Sequence, residues 1–204
     1  MEKLDLKKTE KEYYKPGRKP EIIEIPEFKF LMVQGTDARP ESEDFQNAIT
    51  TLYSVSFTAK FMSKNEPGRD YTVMPLEGLW WADDMNVFEK GEKEKWSWTL
   101  MIRQPDFITQ EIIKRAVTKA KEKKNIAAEK LKLTKYKEGL SAQIMHIGPF
   151  SEEKPNILLL HELINKEGGK FNGQKQKHHE IYLSDFRRTA PEKLRTIIRQ
   201  PFLK

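Results

Sequence analysis

His178-His179-Glu180-Ile181-Tyr182-Leu183-Ser184-Asp185, the stretch HHEIYLSD, alternates polar and apolar residues with the two-residue period of a half-buried strand. That period puts His178, Glu180, Tyr182 and Ser184 on one face. Ile181 and Leu183 lie on the other, which is apolar enough to bury against a helix or a second layer. A carboxylate and a phenol therefore point side by side at something other than the main core. On these eight residues alone, that something is either solvent or a pocket, and the rest of the chain has to decide between them.

Working outward, Ser151 and Pro155 open a helix that carries Ile157, Leu160, His161 and Ile164 on one face, and Gly168 and Gly169 close it. A strand at 141–150, SAQIMHIGPF, precedes that helix, and the apolar strand LRTIIRQPF follows HHEIYLSD. The first half of the chain repeats the order. EFKFLMVQG at 27–35 reads as a strand ended by Gly35. Pro40 and Ser42 then open a helix with Glu43 and Asp44 in its first turn, where carboxylates meet the positive end of the helix dipole. Its core stripe is Phe45, Ala48, Ile49, Leu52, Val55, Ala59 and Met62. A second line, Tyr53, Phe57 and Phe61, widens the apolar surface beyond what one sheet contact needs. Phe61 is read as core, while Tyr53 and Phe57 are candidates to border a cavity. After the turn NEPGRD, PLEGLWW at 75–81 is extended, with Pro75 and Gly78 marking an edge, a bulge or a close approach. WSWTLMIRQP then puts Trp96, Trp98, Leu100 and Ile102 on a common face.

Both halves end in Ile-Arg-Gln-Pro, at 102–105 and at 198–201, after the same succession of elements. This points to a duplicated β-α-β-β unit. The expected fold is α+β, with antiparallel sheets from two repeats around an inter-repeat ligand cleft. Its expected divisions are a charged N-terminal arm at 1–20 and a single domain at 21–204. Within the domain, repeat one covers about 27–105, a connector helix capped by Asp106 covers 106–137, and repeat two covers about 138–204. Laying PLEGLWW over HHEIYLS sets Glu77 against Glu180 and Leu79 against Tyr182. In that alignment Glu77, Leu79 and Trp81 share the face that Glu180 and Tyr182 use.

The composition excludes several chemistries. Cysteine is absent, which removes disulfides, thiol nucleophiles and cysteine-ligated zinc and fits a reducing cytoplasm. The four histidines do not form a metal-spaced set, and there is no phosphate loop, nucleophile elbow or nucleotide fingerprint. No metal and no cofactor are expected. No run is long and apolar enough for a spanning helix, and the N-terminus has no apolar signal core, so no membrane partner is expected and the cytoplasm is the expected compartment. Lys114 to Lys137 holds ten Lys or Arg against two Glu, an excess larger than the net charge of +6. Tyr136 is its one aromatic, so the interleaving of a single-strand binder is missing and nucleic acid is not expected as a partner. Oligomeric state is not legible.

PLEGLWW, WSWTLMIRQP, HIGPFSEE and above all HHEIYLSD, in a duplicated β-α-β-β order, resemble the GyrI-like small-molecule-binding family over roughly residues 20–204. The family's domain also serves as the effector-binding part of some multidrug-sensing transcription regulators. The resemblance implies tandem SHS2-like repeats with a pocket between them for bulky aromatic, often cationic, small molecules. It also implies a pocket glutamate on the middle strand of the second repeat, matched here by Glu180, with Tyr182 two residues on. No helix-turn-helix is left over, so the chain looks like a stand-alone member. Some stand-alone members are cyclopropanoid cyclopropyl hydrolases, which open the strained ring of DNA-alkylating compounds inside an aromatic cage. By that resemblance Glu180 is the expected general base and Tyr182 orients the reacting group. Trp81 and Trp98 form the cage, Tyr53 and Phe57 are walls, and Glu77 is a further ligand contact through the repeat. The alternative is that Glu180 pairs with a cationic ligand and nothing reacts.

Overall fold

Six segments form strands, and each finds a partner on both sides. The computed structural model describes residues 3–66, 68–124 and 126–204, so Pro67 of the NEPGRD turn, Asn125 of the basic segment, and Met1 and Glu2 of the arm lie outside them. The strands are β1 (Glu21–Thr36), β2 (Leu76–Trp81), β3 (Ser97–Gln104), β4 (Lys132–Ile147), β5 (His178–Tyr182) and β6 (Arg195–Pro201). They close into an antiparallel barrel in the order β1-β3-β2-β5-β6-β4. The first half contributes β1-β3-β2 and the second β4-β6-β5, and the halves join through β1 with β4 and β2 with β5. Closure leaves no strand edge unpaired.

The helices are α1 (Leu6–Thr9), α2 (Lys11–Tyr14), α3 (Glu43–Asn65), α4 (Asn86–Lys90), α5 (Gln110–Lys123) and α6 (Lys154–Lys166). α3 buries Ala48, Ile49, Leu52, Val55, Ala59 and Met62 at helical spacing, against Leu31, Val33, Trp98, Leu100 and Ile102 of the barrel's outer surface. Burying each large side chain contributes about 1.5–3 kcal/mol. α6 covers β4 and β6 through Leu160 and Ile164, next to Ile144, Ile198 and Phe202. α5 leans on α3.

Three expectations change. The connector is not one helix over 106–137: α5 starts after Thr109, whose hydroxyl accepts from Ile112 N at 3.3 Å, and it stops at Lys123. KLTKYKE then runs along β4, where Leu133 is partly covered by the core under α3, Tyr136 by the Phe30 cluster, and the lysines stay in water. The strand at 141–150 is therefore the second part of a 16-residue strand. The described part of the arm is ordered, and it closes one end of the barrel.

That closure follows from the repeated Ile-Arg-Gln-Pro. Arg103 and Arg199 both point into the barrel, where a guanidinium must be paired. Arg103 meets both Glu10 oxygens at 2.6 and 3.1 Å and the Tyr14 hydroxyl at 3.1 Å, and it stacks over the Phe28 ring at 3.3 Å. Arg199 donates to Gln143 Oε1 at 2.9 Å and to the Tyr13 carbonyl, with Glu138 Oε2 at 3.5 Å. Deeper inside, His179 donates Nδ1–H to Glu138 at 2.9 Å and Nε2–H to Glu77 at 3.0 Å. A ring with a carboxylate on each nitrogen is an imidazolium.

Burial opposes the His179 charge, but the two carboxylates prevail and raise its pKa to about 9. Its folded value lies above the ordinary 6.5, so this contribution is complete below about pH 6.5 and lost as the pH rises through about 9. Glu138 is buried too, yet His179 and Arg199 hold it below the ordinary carboxylate range. It therefore stabilises the fold above about pH 4.5 and loses that contribution as the pH falls. The His179 shift corresponds to about 3 kcal/mol. Thermal unfolding from pH 5 to pH 10 should show a fall in Tm that steepens above about pH 6.5, with a flatter decline there in His179→Gln. An equally steep decline in that variant would contradict the assignment.

Candidate functional site

The site lies outside the barrel, where the halves join. Gly78 stands directly opposite Glu180, Glu77 opposite Ile181 and Trp80 opposite His178. Directly opposed residues in an antiparallel pair share a face. Glu180 and Tyr182 therefore face outward together with Gly78 and Trp80, while Glu77 faces inward with His179. This corrects the expected sharing of one face by Glu77, Leu79, Trp81 and Glu180. Matching glutamate to glutamate was one residue out of register, and a one-residue slip exchanges the two faces of a strand. Gly78 has a further role here. A Cβ at this position would meet the Trp80 indole at 2.9 Å, so its absence lets that ring lie back along β2.

Tyr182 lines a cleft of about 680 Å³ between α3, the segment Val73–Leu76, the end of α5 and the loop after β5. Tyr53 and Phe57 stack on its α3 wall with centroids 6.3 Å apart. Phe61, read as core, is instead half exposed on the same wall, and Phe186 faces it across the cleft. Burial raises the Tyr53 hydroxyl above its ordinary value. Among the described residues of the lining, Lys7, Lys123, Lys124 and Arg187 are the cations and Asp185 is the one carboxylate, bonded to Arg187 at 3.0 and 3.1 Å.

Glu180 lies one hydrogen bond behind this wall. Tyr182 Oη donates to Glu180 Oε2 at 2.6 Å, and His178 Nε2 donates to Oε1 at 3.1 Å. Burial pushes the Glu180 carboxyl up, but the hydrogen bonds from His178 and Tyr182 prevail and keep it below the ordinary range. Burial and the neighbouring Glu180 charge push the Tyr182 hydroxyl well above its usual value. Phe150 packs edge-on against the Tyr182 ring at 5.7 Å and reaches Phe186 at 6.4 Å. Glu153, next to α6, meets Glu180 carboxyl to carboxyl. Thr196 lies beside Glu153, and Trp80 lies beside Tyr182. Among the described residues, Trp80 Nε1, Thr196 Oγ1 and Glu153 Oε1 are buried polar atoms without a well-aligned protein partner.

The structure thus brings Tyr53, Phe57 and Tyr182 into one cleft, with Glu180 immediately behind. The other sequence candidates lie elsewhere. Trp98 is in the core under α3, donating to the Thr36 and Asp37 carbonyls at 3.1 and 3.2 Å. Trp81 ends β2 beneath the Lys177 ammonium, 3.4 Å from the ring centre. Glu77 is inside the barrel. Sequence reasoning missed Glu153, Trp80 and the aromatic pair Phe150 and Phe186. Trp80 had a readable signal, the parity of β2 once its register with β5 is known. Glu153 had none, because its carboxyl reaches β5 across a loop.

An aromatic-walled cleft backed by a hydrogen-bonded carboxylate defines a small-molecule-binding protein. The chain belongs to the GyrI-like family: the GyrI-like small molecule binding domain matches residues 18–202. Three solved structures from Listeria innocua are similar over nearly all of both chains. An uncharacterized conserved protein is 43% identical with a TM-score of 0.91, covering 98% of this chain and all of its own. Two hydrolase structures are each 41% identical, with TM-scores of 0.87 and 0.90, covering 98% and 99% of this chain and all of their own. A comparison with curated proteins finds no match. Among the described residues no helix is long and apolar enough to cross a membrane.

Aromatic stacking contributes about 1 kcal/mol per ring pair. Phe57→Ala should therefore weaken binding of a flat aromatic dye about fivefold or more by titration calorimetry, and Trp81→Phe should leave it unchanged. The reverse order would move the binding site out of this cleft.

Proposed function

We propose that this protein binds bulky, flat aromatic xenobiotics in the cleft beside Tyr182 and hydrolyses cyclopropanoid DNA-alkylating agents by adding water across the strained ring. The observation that carries the reading is the 2.6 Å hydrogen bond from Tyr182, on the cleft wall, to a partly buried carboxylate. Similarity to the two Listeria hydrolases supports it. In this reading Tyr53 and Phe57 hold the flat ring system, and a water sits at the Tyr182 hydroxyl. The water oxygen bonds to the cyclopropane carbon as the ring C–C bond breaks. The electron pair of that bond moves into the conjugated carbonyl, which takes a proton from solvent water as the phenol product forms. The water's own proton passes to Tyr182 Oη while the Tyr182 hydroxyl proton passes to Glu180 Oε2, which then releases it to solvent. A concerted transfer avoids a free tyrosinate, which the raised Tyr182 pKa disfavours. Relative to the sequence expectation, Tyr182 becomes the group that touches the water and Glu180 the final acceptor.

One observation favours a binding-only protein. Glu180 is already well supplied with donors, which suits a fixed negative charge beneath a cationic aromatic ligand. The cationic lining of the cleft points instead to neutral or anionic ligands.

Incubation with a cyclopropanoid alkylator, followed by mass spectrometry, should show the mass gain of one water. Glu180→Gln and Tyr182→Phe should each lower turnover by about 10²-fold or more while affinity stays within a few-fold. A compound that is bound but unaltered by the wild-type protein would establish the binding-only reading.

A further inference from the structure

Glu153 is the buried titratable group that the relay does not use. It is 5% exposed, in the turn between β4 and α6, and its Oε1 meets no protein donor. Around it and Glu180 come His178 and Tyr182 from β5, Thr196 from β6 and Trp80 from β2. His161 of α6 faces His178. On β4, His146 is occupied locally: its Nε2–H donates to the Pro149 carbonyl at 3.1 Å, and its Nδ1 accepts from Asn156 at 2.9 Å. No Lys or Arg is among these groups, whereas Glu180 accepts hydrogen bonds from both His178 and Tyr182. Two carboxyls in contact in such a site cannot both ionise at modest cost, so Glu153, with only the Thr196 hydroxyl beside it, keeps the proton, while Glu180, held by His178 and Tyr182, stays charged.

We propose that Glu153 is a positioning residue for the relay: it holds a proton between itself and Glu180, so that the pair carries one negative charge and Glu180 remains the acceptor behind Tyr182. This rests on the hydrolytic reading of the same site. The neutral carboxyl supplies a donor to Glu180 without adding charge. It also ties the α6 end of the β4–α6 turn to β5, next to Phe150 on the Tyr182 ring. Burial and the Glu180 charge push the Glu153 carboxyl up to about 10, in line with this role.

The arrangement has a cost that can be measured. The unfolded chain releases the Glu153 proton above about pH 4.5, but the folded protein keeps it up to about pH 10. The wild type therefore loses stability across that interval as the pH rises. Glu153→Gln keeps a neutral donor and has nothing to titrate, so its Tm relative to wild type should rise steadily from pH 5 to pH 9. Its turnover at pH 7 should stay within about threefold of wild type, the range of an isosteric donor exchange. Glu153→Leu removes the donor, so the acid limb of the turnover profile should move to higher pH. A Tm difference that does not change with pH, or a Glu153→Leu profile that superposes on wild type, would overturn the proposal. If wild-type protein turns over no cyclopropanoid, the hydrolytic reading fails, and the Tm series still decides where the proton is held.

Discussion

The antiparallel register of β2 with β5 is the constraint on which the rest depends. Gly78 opposite Glu180 turns Glu180 and Tyr182 outward to the cleft and His179 inward to the barrel. Displaced by one residue, the imidazolium would face the aromatic wall and the Glu180–Tyr182 pair would be shut in the lumen. The register also joins the halves, so the cleft exists only when both are folded and paired. Gly78 is part of the same constraint, because it makes room on the outward face for Trp80 beside Tyr182.

Buried charge is paired with opposite charge in the lumen, though Glu77 Oε1 there has no aligned partner, and is left carboxyl against carboxyl on the outer face. In the lumen, His179, Glu138, Arg199 and Arg103 have named partners, and the N-terminal segment supplies several of them. Such a network ties the arm to the barrel and specifies one arrangement, although its net contribution to stability is modest once desolvation is counted. On the outer face, Glu153 Oε1, Thr196 Oγ1 and Trp80 Nε1 lack aligned partners, and two carboxyls are in contact. Strain of this kind, next to a cleft with half-exposed aromatic rings, is where a protein gives up stability for chemistry.

Much of this was legible in the sequence. The period of HHEIYLSD puts Glu180 and Tyr182 on one face, and the helical spacing of Tyr53 and Phe57 puts them on the wall that Tyr182 meets. The strand-helix-strand-strand order of each half is the observed order. What could not be read were relations between strands. Periodicity tells which residues share a face of one strand but not which residue of the next strand stands opposite, and so Glu77 and Trp81 were assigned to the wrong side of β2 relative to Glu180. Trp98 was counted toward a cage because aromatic richness does not distinguish a core ring from a cleft ring. Glu153 was invisible because its meeting with Glu180 joins a turn to a strand some 27 positions away.

In the proposed reaction the ligand lies on the Tyr53–Phe57 stack with its reacting carbon at Tyr182, outside the barrel. A crystal structure with an unreactive cyclopropanoid analogue tests this most directly. The analogue's ring system should lie on Tyr53 and Phe57, and a water or polar atom should be within hydrogen-bond reach of Tyr182 Oη, with Glu180 behind it. Density for the analogue inside the barrel, against Glu77 and His179, would contradict the account.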